Sequence, residues 1–172
     1  MYTSGFYERL AIGLGVVQLI GGVHGLFLVL ATGFGGSVFQ GTVILLGLVY
    51  FSLSAVAGVL LWTGKDCGLI LSMVVWGVQF LAVASPILML EVYAGVRVTP
   101  YLRFAEEGSS IHLAVNLGSH MTLGVAREYF AIGVNLAAVC AFVALDCLWR
   151  ARDRNRQHEE RLAEAVEQMT RE

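Results

Sequence analysis

The chain has 172 residues, of which 57% are hydrophobic and 14% charged, against roughly 45–50% and about 25% in an average globular chain. A net charge of −2 supplies no basic field for nucleic acid, and no nucleic-acid partner is expected. A mean hydropathy of +0.72 argues against a disordered or ordinary soluble chain and points to the lipid bilayer as the chain's main partner.

The first apolar run, residues 10–32, is long enough to cross ~30 Å of hydrocarbon. It exceeds the roughly 7–15 residues of a signal-peptide core, so it is expected to be kept as a span. Runs at 42–63 and 68–90 follow, and a fourth, slightly short one lies at about 130–148. The connections at 33–41 and 64–67 are short enough to make neighbouring spans antiparallel. The expected fold is therefore an all-α membrane protein, an antiparallel bundle of four transmembrane helices. Its parts are helices 1–3 in residues 1–93, an extracytoplasmic β-hairpin or meander in 94–128, helix 4 in 129–149 and a charged cytoplasmic helix in 150–172.

Arg9, Lys65, Arg150, Arg152, Arg154 and Arg156 would share one side of the membrane, against Arg97, Arg103 and Arg127 on the other. The excess of basic residues marks the cytoplasmic side. Both termini are thus expected inside a plasma or inner membrane. Tyr7, Trp62 and Trp149 would sit at the inner headgroups, and Tyr93 and Tyr129 at the outer ones.

In the outer segment, Val96, Val98, Leu102 and Phe104 alternate with Arg97, Thr99 and Arg103, and Ile111, Leu113, Val115 and Leu117 alternate with His112, Ala114 and Asn116. Period-two alternation predicts half-exposed strands. Turns are expected at 106–109 and at Gly118-Ser119-His120. A three-residue loop there sets Leu117 against Met121, Val115 against Leu123 and Leu113 against Val125, which leaves one wholly apolar face. These six residues are the candidate oligomer interface, since so small a meander cannot cover its own apolar face. Pro100 suits an edge or bulge.

Ionisable or amide groups inside spans are functional candidates. Those present are Gln18, His24, Gln79, Asn135 and Asp146. Asp146 is expected to pair with Arg150 one turn on, and Gln79 and Asn135 to hydrogen-bond between helices. A haem at His24 would lack a second histidine in any span. No cofactor is expected beyond bound lipid. Small residues one turn apart favour close helix approach at Gly21 and Gly25, at Ser54 and Gly58, and at Gly133 and Ala137.

Cys67, Cys140 and Cys147 show no metal-ligand spacing and read as free thiols. In the tail, Leu162, Val166 and Met169 form a narrow helical stripe, and Glu167 and Arg171 a favourable pair. No catalytic motif and no metal site stands out. The chain reads as a non-enzymatic oligomeric scaffold or accessory subunit of a membrane complex, partnered by copies of itself or by other membrane subunits. A small channel or transporter component is the alternative, followed by a haem or redox protein.

Overall fold

The computed structural model describes residues 4–32, 38–86, 89–106, 108–123 and 129–171. Two long helices come first, α1 (Ser4–Thr32) and α2 (Val38–Trp62). Both are long and apolar enough to cross a membrane. They pack through glycines: a Cβ at Gly58 would lie 2.6 Å from the Gly15 carbonyl oxygen, and one at Gly22 2.5 Å from the Ala55 nitrogen. Such approach is open only to residues with no side chain in the way. The Ser54 hydroxyl donates to the Gln18 carbonyl oxygen across the same contact, at 3.2 Å.

Beyond α2 the fold departs from the expected bundle. The third apolar run is split between α3 (Asp66–Val78) and a strand, β1 (Leu81–Ala84). The 13 residues of α3 rise only about 20 Å, short of the hydrocarbon thickness. The helix stops at its C-cap Gln79, whose side-chain amide bonds to the Ala94 backbone N–H, and Pro86 keeps the chain after β1 from resuming a helix. Periodicity cannot separate a short apolar strand such as Leu-Ala-Val-Ala from helix.

The chain then forms β2 (Met89–Ala105), β3 (Gly108–Leu123) and β4 (Phe130–Val134). The fourth apolar run is likewise divided, because α4 (Leu136–Arg171) begins only after β4. An all-α, four-transmembrane-helix bundle is thereby overturned. The described residues form four helices and a four-stranded antiparallel sheet, and among them only α1 and α2 are both long and apolar enough to span a membrane.

Strand order is β1-β4-β2-β3, with β1 also pairing β2. Leu90 pairs Val83, Val83 pairs Ile132, and Ile132 pairs Leu102. Both ends of the long β2 thus join the same two short strands, so β2 must double back. Gly95 and Gly118 lie opposite one another in the β2–β3 ladder with φ of +103° and +126°. L-residues avoid that region, and the bend sits there. The sheet curls into a half-barrel whose two arms rise from this bend.

The expected turn at Gly118-Ser119-His120 is accordingly not a turn. β3 bends there but continues as one strand, and Leu117, Val115 and Leu113 pair with Val96, Val98 and Pro100 rather than with Met121, Leu123 and Val125. Val125 lies outside the described residues. Where a turn is expected at 106–109, Ala105 pairs with Gly108 and β3 already begins at Gly108; residue 107 lies outside the described residues.

The bend rests on α1. A Cβ at Gly21 would be 2.3 Å from the Gly95 nitrogen, and the Ser119 hydroxyl donates to the Gly21 carbonyl. At the other end, Leu61, Leu69, Trp76, Ala138 and Leu145 form a core between α2, α3 and α4. Arg152 and Arg156 of α4 reach Asp66 at 3.0 and 2.6 Å, and Arg152 also donates to the Gly64 carbonyl at 3.0 Å. This clasp ties α4 to the start of α3.

Candidate functional site

The sheet has one polar and one apolar face. On β2 the residues Leu90, Val96, Val98, Leu102 and Phe104 alternate with Glu91, Arg97, Thr99, Tyr101 and Arg103. Register preserves the separation: Tyr101 stands opposite His112, Arg97 opposite Asn116 and Glu91 opposite Thr122, while Leu102 stands opposite Ile111 and Val98 opposite Val115. On β4, Phe130, Ile132 and Val134 are exposed, whereas Ala131 and Gly133 are buried. The curled sheet is therefore polar inside and apolar outside, the distribution found in barrels that sit in lipid.

Its interior is a cavity of about 320 Å³ bordered by Glu91, Arg97, Tyr101, Arg103, His112 and Tyr129, with Ala84, Met89 and Ala131 as apolar wall. Arg97 is buried and forms an ion pair with Glu91. Because these residues flank Gly95, the pair bridges the two arms of the bent strand. The Arg97 guanidinium lies 5.1 and 5.0 Å from the ring centroids of Tyr93 and Tyr101, and its Nε donates to the Thr99 hydroxyl at 3.2 Å. The Tyr101 hydroxyl approaches the second Glu91 oxygen at 3.4 Å.

Small residues on β4 make this possible. A Cβ at Gly133 would meet the Tyr101 ring and the Thr99 methyl at 2.6 Å.

Arg103 has a different setting. Its guanidinium stacks 4.0 Å from the Tyr129 ring centroid, and its Nε is buried with no hydrogen-bond partner. No carboxylate pairs with it among the described residues. At the cavity edge, the Ser110 hydroxyl and His112 Nε2 share a 2.9 Å hydrogen bond.

Two side-chain amides expected inside spans, Gln79 and Asn135, join the sheet to the helices. Gln79 closes α3 as its C-cap; its Oε1 accepts from the Ala94 amide at 3.2 Å and its Nε2 donates to the Val75 carbonyl at 3.4 Å. Asn135 precedes α4, and its Oδ1 accepts from the amides of Ala138 and Val98 at 3.4 and 3.2 Å. Both amides stand at helix ends and tie them to the sheet. The preference of Asn for the N-cap position is the sequence signal that could have located the start of α4.

Of the other predicted residues, Gly21 meets β2, and Gly25 meets the Phe51 ring. Ser54 and Gly58 lie on the α1–α2 contact. Gly133 lies on β4 rather than on a helix, and Ala137 is in the first turn of α4. His24 is exposed, near Gly118. Leu113, Val115 and Leu117 are exposed on the outer face of β3, with Met121 and Leu123 half-buried.

Asp146 pairs with Arg150 at 2.9 Å, and Glu167 pairs with Arg171. The three cysteines are free. No group of three His, Cys, Asp or Glu side chains among the described residues could hold a metal ion.

Sequence reasoning missed Glu91, Tyr101 and the Arg97 pairing, because Glu91 fell just before the segment read as β.

Comparison with family models, with curated proteins and with solved structures gives no match.

Proposed function

We propose that the chain is a non-enzymatic membrane protein that acts by assembling with copies of itself, as a scaffold or accessory subunit. In this reading α1 and α2 span the cell membrane and both chain ends are cytoplasmic. Arg9, Lys65 and the arginines of α4 from Arg150 to Arg156 then share the inner side, as the distribution of basic residues in membrane proteins requires.

The observation that carries the proposal is β3. It is the terminal strand of the sheet, with no second ladder among the described residues. Its outward residues Ile111, Leu113, Val115 and Leu117 are 76%, 66%, 62% and 82% exposed. In lipid an open strand edge leaves backbone groups unsatisfied; in water an apolar edge is a template for another strand. Either setting favours a cover. A second β3, antiparallel about a two-fold axis, supplies it with a self-complementary contact.

Native mass measurement in mild detergents and nanodiscs tests this. The wild type is expected as a dimer or higher assembly, and Val115→Lys as a monomer with unchanged circular dichroism. A wild type that is monomeric in every such environment overturns the proposal.

A second reading, a channel or transporter component, is favoured by buried polar atoms that have no partner among the described residues: both side-chain polar atoms of Gln18, the Ser72 hydroxyl and Asn135 Nδ2. Such atoms are ordinarily satisfied, often by water. This reading predicts solute flux into proteoliposomes that falls at least tenfold in Gln18→Leu. Equal flux in both proteins removes it.

A further inference from the structure

The charges in the cavity do not balance. Arg97 is neutralised by Glu91. Arg103 contributes a second guanidinium that no described carboxylate answers, with a buried Nε and an aromatic ring on one face. Arg103 is half-buried, and partly desolvating a cation costs free energy unless a ligand or neighbour supplies the missing acceptors. Stacking on Tyr129 offsets part of that cost and fixes the plane of the guanidinium, which is the geometry that recognises planar or tetrahedral oxyanions through paired N–H donors.

The adjoining space of about 320 Å³ lies at the small end of the range for ligand sites. It has apolar wall at Ala84, Met89 and Ala131 and polar groups at Tyr101 and His112. With two guanidinium groups and one carboxylate, the described lining carries one net positive charge. A singly charged anion complements it; a doubly charged one does not.

We propose that the half-barrel binds a singly charged oxyanion, a carboxylate or a phosphodiester, with Arg103 as its anchor and Tyr101 and His112 as flanking hydrogen-bonding groups. A carboxylate would come from a small soluble acid with a short apolar body resting on Met89 and the two alanines. A phosphodiester would come from a lipid headgroup. The proposal is independent of self-assembly, since every residue it uses belongs to one chain.

The test uses the full-length protein with two probes. Sodium butyrate is titrated by calorimetry against protein in phosphatidylcholine nanodiscs. Retention of phosphatidylglycerol over phosphatidylcholine from mixed micelles is read by native mass spectrometry. The expected result is one saturable site in one of the two arms, weakened at least tenfold in Arg103→Gln and unchanged in Arg154→Gln at the opposite end of the molecule. A site found with butyrate identifies a soluble acid, and one found with phosphatidylglycerol a lipid headgroup.

Without ligand, Arg103→Gln should unfold at the same temperature as wild type or higher, because it removes a half-buried cation that no described carboxylate answers. A purely structural Arg103 would give a lower one. No saturable site in either arm, binding indifferent to Arg103→Gln, or a lowered unfolding temperature with no change in binding overturns the proposal.

Discussion

Arg97 and Glu91 show how single residues hold this fold. They lie on opposite sides of Gly95 on one strand, and their ion pair is buried among Tyr93, Tyr101 and Thr99. Removing one member of such a pair strands the other charge and costs about 3–5 kcal/mol, whereas replacing both by apolar groups is often close to neutral. Arg97→Met and Glu91→Gln should therefore each lower the thermal unfolding temperature in detergent strongly. The double variant Arg97→Met/Glu91→Met should recover most of the loss. Additive losses would show that the two side chains do not act as a pair. The sequence placed Arg97, Thr99 and Arg103 on one face by alternation alone. It could not show Glu91 beside them, because that contact needs the strand to fold back on itself at Gly95; an isolated glycine in a strand signals a bend but not which residues meet across it.

At the scale of elements, the apolar runs were legible as apolar, but their conformation was only partly so. α1 and α2 are uninterrupted by proline and long enough to be helices on length alone. The runs at 68–90 and 130–148 each contain a helix and a strand, and the boundaries lie at Gln79 and Asn135, where side-chain amides satisfy backbone groups of the sheet. Hydropathy is blind to such boundaries. β3 is the converse case. The turn expected at Gly118 is absent, yet Leu113, Val115, Leu117, Met121 and Leu123 share one face, because a three-residue loop and an uninterrupted strand give these odd-numbered positions the same parity. The clasp from Arg152 and Arg156 to Asp66 joins residues distant in sequence and had no local signature.

For the whole molecule, the layout sets a direction. The basic end holds the α2–α3 turn, the Asp66 clasp and the emerging α4. The sheet rises from the middle of α1 toward the other end, where Met121 lies by Gly47 and Val29. If α1 and α2 cross the membrane once each, Cys67 beside the α2–α3 turn and a cysteine introduced at Ser110 near the hairpin tip face opposite sides. In right-side-out vesicles, a membrane-impermeant maleimide should label Ser110→Cys in a Cys67→Ser/Cys140→Ser/Cys147→Ser background. It should leave a protein retaining only Cys67 unlabelled until the vesicles are opened. Labelling of both from outside would refute the two-span arrangement.

Composition by itself marked the chain as more apolar than an average globular domain, and local patterning marked four apolar runs, two of which are the helices α1 and α2, and a strand segment with separated faces. Both are properties of neighbouring residues: length, hydropathy and parity are carried along the chain whatever it packs against. Only the tertiary structure decided that two further apolar runs would break into helix and strand, that the polar face would close around Arg97 and Glu91, and that Arg103 would meet no carboxylate among the described residues. Those outcomes depend on which backbone groups meet across the fold, because buried amides and charges must find partners wherever the chain brings them together.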